Sequence, residues 1–149
     1  MLDLVGDDLD KVLHRVVYGV ISPELLTKQQ NDRLAEFSTK FRKALLESIG
    51  DERLEMYELG GLATRPSKQG LGYGSAMVNF VTGLADANRR GTWLGSSNVA
   101  NTGFYESFGF RTVAEFVVGE SDPTWTDPPV LVKVMSRKYG GPASVNTRR

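Results

Sequence analysis

A chain of 149 residues, 40% of them hydrophobic, has the length of one compact domain with an ordinary core. Its 18 basic side chains balance its 18 acidic ones, so no global field draws it to nucleic acid or to an anionic membrane. The absence of cysteine excludes disulfides, thiolate metal sites and cysteine nucleophiles, and the longest apolar runs are too short to span a bilayer, which leaves a soluble, cytoplasmic protein as the default expectation.

Leu9, Val12, Leu13, Val16, Val17, Val20 and Ile21 recur at helical spacing and predict an amphipathic helix capped by Asp7 or Asp8. His14, the only histidine, lies in it with no second ligand or acid close in sequence, and no metal site is expected. Ser22, Pro23 and Glu24 open a second helix: a good N-cap, a proline suited to the first turn, and an acid that complements the helix dipole. Leu34, Phe37, Phe41, Leu45 and Ile49 continue its stripe, and Gly50 ends it.

From Arg53 the pattern becomes a strand, Met56, Tyr57, Glu58 and Leu59, that runs through Gly60 and Gly61 into Leu62, Ala63 and Thr64. Two glycines within a strand imply a bulge or a close backbone approach. Beyond a loop at 65–70, Met77, Phe80, Val81 and Leu84 mark a helix, and Thr92, Trp93 and Leu94 a short strand. A short helix at 101–108 follows, then strands at 113–118 and, after Pro128 and Pro129, at 130–135. The tail from Gly140, rich in Gly, Ser, Asn and Arg, is expected to be disordered. The chain reads as a single domain over 1–139, with a helical segment at 1–50 and a ligand-binding core at 51–139.

Between the glycine-containing strand and the helix stand Gln69, Gly70, Leu71, Gly72, Tyr73, Gly74 and Ser75, a composition that lets backbone N–H groups approach an anion at a helix N-terminus. A Walker A loop requires a Lys that Gly74-Ser75-Ala76 does not supply. A dinucleotide fingerprint requires a third glycine where Ser75 stands and an acid near the end of the next strand, where the chain has Ser96, Ser97 and Asn98. The remaining pattern, Gln/Arg-x-x-Gly-x-Gly/Ala, is matched by Gln69, Gly72 and Gly74, and it resembles the coenzyme A pyrophosphate loop of the GNAT superfamily of N-acetyltransferases. Asn98, Tyr105 and Gly109-Phe110 resemble that family's second signature, and Leu62-Ala63-Thr64 the strand before its loop, so the resemblance covers about residues 57–110.

The resemblance implies a mixed α/β fold, a GNAT-like sheet with flanking helices, that takes acetyl-CoA as cosubstrate without a metal. It implies that Leu62, Ala63 and Thr64 hold the pantetheine amides in an opening of the sheet, and that residues 69–75 hold the pyrophosphate. Tyr105 matches the tyrosine that protonates the departing thiolate, a transfer a phenol of pKa about 10 can make to a thiol of about 8.5. Asn98 matches the residue that orients the cofactor, and Glu58 stands where some members place a general base. Asn101 either bonds the cofactor or caps the helix, with the cap favoured; Trp125 shapes the acceptor pocket or forms a lid. The function implied is N-acetyl transfer to a small-molecule or peptide amine by direct attack in a ternary complex.

The family's amino-terminal strands have no counterpart before Arg53, where two helices stand instead. That departure carries an alternative, a catalytically inactive coenzyme A-binding module, and an expectation that a second copy covers the uncovered apolar face as a homo-oligomer.

Overall fold

The computed structural model describes residues 26–120, 122–123 and 125–140 and divides the chain into two compact units, Met1–Glu36 and Phe37–Arg149. The first expected helix with His14, the Ser22 to Glu24 opening and the tail at 141–149 lie outside the described residues. In the first unit Thr27 and Gln30 form a capping box at the start of helix α1 (Lys28–Ser48). The Gln30 N–H donates to Thr27 Oγ1 at 3.2 Å and the Thr27 N–H to Gln30 Oε1 at 2.9 Å. The described helix thus starts at Lys28, after the expected opening, because this box satisfies two of its terminal donors. Past α1 the chain makes a 3-10 turn, Gly50–Glu55.

The second unit is built on a four-stranded mixed sheet. Strand β1 (Tyr57–Glu58) is followed by helix α2 (Tyr73–Ala87), β2 (Thr92–Ser96), helix α3 (Thr102–Glu106), β3 (Arg111–Val118) and β4 (Val130–Arg137). The spatial order is β1-β2-β4-β3, with β1 parallel to β2 and the other pairs antiparallel. Among the described residues no strand precedes Tyr57. No helix among them is long and apolar enough to cross a membrane.

Alternation along β2 and β4 gives the sheet two apolar faces. Trp93 and Val134 meet Ala44 and Leu45 of α1, with Phe41 packed beside them, tilted against Trp93 and edge-on to Phe116. Leu94 and Met135 point the other way, into a cluster with Leu59, Val78 of α2 and Tyr105, Phe108 and Phe110 at α3. Phe110, Leu94 and Met135 are almost fully enclosed, each stabilising the fold by roughly 2–3 kcal/mol relative to exposure. Arg137 is 3% exposed and closes this layer. Its guanidinium donates to both oxygens of Asp86, at 2.8 and 2.7 Å, and its Nε donates to the Phe108 carbonyl at 2.9 Å.

The strand expected from Met56 to Thr64 is only two residues long. The Leu59 N–H still donates to the Trp93 carbonyl at 2.9 Å, but Gly61 then takes a φ of 62° and turns the chain out of the extended region. The glycine pair therefore ends the β1–β2 ladder and makes no bulge within it. Strand β2 runs on to Ser96, so the two parallel strands part company at this point.

Candidate functional site

The parting of β1 and β2 opens a cavity of about 630 Å³ on the α2 and α3 side of the sheet. Its walls are residues 62–64, the loop residues Lys68, Gln69 and Gly70, the first turn of α2 from Gly72 to Ser75, and Asn98, Asn101, Phe104 and Tyr105. Residues brought forward from the sequence thus gather here from four separate segments. Leu71, which points to solvent at 57% exposure, and Glu58 are not among the lining residues. Lys68 and Phe104 are, and the sequence reading passed over both. A cation next to a glycine loop was the available signal for Lys68.

The loop is fixed locally before it meets α2. Pro66–Lys68 is a 3-10 turn, and Gln69 Nε2 donates to the Thr64 carbonyl at 3.2 Å, which ties the loop to the segment after β1. Gly72, at the N-cap of α2 with a left-handed φ of 85°, offers no side chain to the first turn. Among the described residues the N–H groups of Tyr73, Gly74 and Ser75 have no partner; the first helical bond is from the Ala76 N–H to the Gly72 carbonyl. A bare N-terminus on a 15-residue helix binds anions by its free donors and its dipole. Lys68 adds a full positive charge, paired with no carboxylate among the described residues.

The opposite wall is also rich in free donors. From Gly60 to Arg65 no backbone N–H donates to another described residue, although Leu59 just before them is bonded into the sheet. Such a segment completes its hydrogen bonds with water or with a ligand that lies along it as an added strand.

Tyr105 is 8% exposed and sits between Phe104 and Phe110, edge-on to both, with ring centroids 5.2 and 6.1 Å away. Burial raises its pKa above the ordinary phenol value. Its hydroxyl has no hydrogen-bond partner among the described residues. A Schellman motif holds the ring in place: the Phe110 N–H reaches back to the Tyr105 carbonyl at 3.3 Å, the Gly109 N–H to that of Glu106 at 2.9 Å, and Gly109 takes a φ of 87°.

Asn98 caps the turn Val99–Asn101: its Oδ1 accepts from the Ala100 N–H at 3.1 Å, which leaves the amide nitrogen as a donor at the cavity wall. Asn101 does not cap α3. It is the N-cap residue but makes no side-chain bond there, because its backbone is already helical, with φ −83° and ψ −2°, and does not turn the amide onto the first-turn N–H groups. The cap favoured from the sequence is corrected, and Asn101 is among the residues that line the cavity.

Glu58 is exposed and pairs in register with Trp93 on β2. Trp125 lies over Gly119, 3.4 Å from where a Cβ would stand, and donates from Nε1 to the Pro128 carbonyl at 3.2 Å; it is not part of the cavity wall.

The model of the acetyltransferase (GNAT) domain family matches residues 41–112, which include β1, the glycine loop, α2, β2 and α3. Among solved structures, the crystal structure of the ribosomal-protein-S18-alanine N-acetyltransferase from Escherichia coli is similar at 23% identity and a TM-score of 0.46, over 62% of this chain. This chain covers 59% of that one. A search of curated proteins found no match. Residues 41–112, which carry the cavity, thus match the acetyltransferase (GNAT) domain family.

Proposed function

We propose that this chain binds acetyl-CoA in the 630 Å³ cavity and transfers the acetyl group to a small-molecule or peptide amine by direct attack in a ternary complex. The observation that carries the proposal is the convergence of an uncapped helix N-terminus, a lone cation and a free row of backbone donors on one cavity that ends at a buried phenol. Those features fit the cofactor chemically: free N–H groups and a cation for phosphates, strand-like donors for amide carbonyls, an apolar end for a thioester.

Gly72, Tyr73, Gly74 and Ser75 with Lys68 would hold the pyrophosphate, with Gln69 and Gly70 shaping the loop; residues 62–64 would hold the pantetheine amides. The bound cofactor supplies the acetyl group already activated as a thioester. Free N–H groups near Leu62 would face negative charge that develops on the carbonyl oxygen. The Tyr105 hydroxyl, kept protonated by burial, would give its proton to the departing sulfur, and the amides of Asn98 and Asn101 would orient the reacting end. An attacking amine must lose a proton, and Glu58 is the candidate base through water; Glu58→Gln with an unchanged rate at neutral pH would move that role elsewhere.

Because Glu58 is outside the cavity wall, binding without transfer is the second reading. Titration with acetyl-CoA, followed by thiol release across a panel of amines, separates the two. Saturable binding with thiol release for some amine supports transfer, and binding with no release for any amine supports the module. No binding at all overturns both.

A further inference from the structure

The cavity wall grades from open to closed. Lys68, Gly70 and Tyr73 are exposed, Phe104 is half-buried and Tyr105 is buried. Under the acetyl-CoA reading, on which this inference rests, the thioester lies at Tyr105 and the pyrophosphate at the free N–H groups from Tyr73 to Ser75. A pyrophosphate links two groups. One is the pantetheine arm, which runs inward along residues 62–64 to the closed end, so the other, the adenosine, lies towards the open end.

Tyr73 is the one exposed aromatic among the lining residues, at 52% exposure. It is the first residue of α2, directly after Gly72, so its side chain springs from the same turn that receives the phosphates. Among the described residues its ring meets no other ring and its hydroxyl makes no hydrogen bond. A large side chain half in water, with no partner of its own and beside a phosphate-binding turn, offers a free π-face. Purines stack on such faces, and removal of the ring then lowers affinity by about tenfold.

We propose that Tyr73 is a specificity-determining residue: the adenine of the donor stacks on its ring, and the cavity thereby selects a nucleotide-bearing acyl donor over the same phosphopantetheine arm without a nucleotide.

The test is calorimetric titration of the whole chain with acetyl-CoA and with acetyl-4′-phosphopantetheine, which keeps the thioester arm and one phosphate but lacks the adenosine. Tyr73→Ala should weaken acetyl-CoA by about tenfold and change the truncated donor by less than about twofold. Tyr73→Phe keeps the ring and should stay within about threefold of the parent for acetyl-CoA. Tyr73→Leu is apolar without a π-face and should resemble the alanine variant. Ligand-free thermal midpoints should stay near the parent's, because the side chain is half in water. An equal loss for both donors in Tyr73→Ala, no loss for either, or full affinity in Tyr73→Leu would each overturn the stacking while acetyl-CoA binding by the parent stands. A parent that binds neither donor overturns the acetyl-CoA reading itself, and the inference with it.

Discussion

Burial of Tyr105 holds its phenol in the acid form. With its ring edge-on to Phe104 and Phe110, the phenol loses hydration that its anion would need, and its pKa rises. The acid form therefore persists across neutral and moderately alkaline pH, and the rate should show no Tyr105 deprotonation limb below about pH 10. Tyr105→Phe keeps the packing and removes the proton. Turnover should drop by about 10²-fold, with acetyl-CoA affinity changed less than about threefold, as read by steady-state kinetics and calorimetry. Lys68 should show the opposite split. Lys68→Ala should weaken acetyl-CoA binding by about tenfold at low salt, leave turnover at saturation little changed, and lose much of its effect in high salt because the charge is exposed. Both side chains stood in the sequence beside recognisable motifs. Tyr105 was legible as a cavity residue because the signature sets a residue type at a fixed spacing, whereas Lys68 was not, because its place on the wall follows from a 3-10 turn.

Among the elements, periodicity was a reliable guide wherever one face is buried and the other is not. Strands β3 and β4 were anticipated within two residues at their ends, and β2 was anticipated from its three buried residues Thr92, Trp93 and Leu94. The segment from Met56 to Thr64 misled for a physical reason: its apolar residues suit a strand, but Gly61 in a left-handed conformation withdraws the backbone from the ladder. The expected opening at Ser22 to Glu24 lies outside the described residues, and the described helix begins at Lys28 behind the capping box of Thr27 and Gln30. The end of α3 was read correctly, since Gly109-Phe110 carries both parts of a Schellman motif, the left-handed residue and the apolar side chain that returns to Tyr105. Gly109→Ala puts a Cβ into that left-handed position and should cost about 1–2 kcal/mol in urea unfolding. Turnover should fall beyond what the stability loss explains, because the same turn sets the ring of Tyr105.

At the scale of the whole unit, the sheet is narrow and one ion pair ties its layers together. Arg137 on β4 holds Asp86 of α2 through two hydrogen bonds and also reaches the carbonyl at Phe108 beyond α3, so one buried guanidinium links the helix that begins the cavity wall to the one that ends it. No sequence motif announces such a pair, since Asp86 and Arg137 are 51 positions apart and meet only through the parallel β1–β2 arrangement that brings α2 over β4. Hydrogen bonding from Arg137 is the main cause that lowers the Asp86 pKa, with the Gly140 N–H adding a bond at 2.8 Å. A carboxylate whose folded pKa lies below its unfolded value contributes stability that is complete above the unfolded pKa, about 3.9, and is lost as pH falls through the folded one. Asp86→Asn keeps the shape but leaves the 3%-exposed Arg137 without its counter-charge. Breaking a buried pair from one side costs about 3–5 kcal/mol, and the lower end applies because Asp86 is one-third exposed to water. The parent's unfolding free energy should therefore stay high from neutrality to about pH 5 and decline below about pH 4. Asp86→Asn should start about 3 kcal/mol lower at pH 7 and decline less steeply in acid, so that the two urea-denaturation curves converge as pH falls. Parallel curves that keep their full separation down to pH 2 would show that the ionised Asp86 carboxylate is not what Arg137 requires.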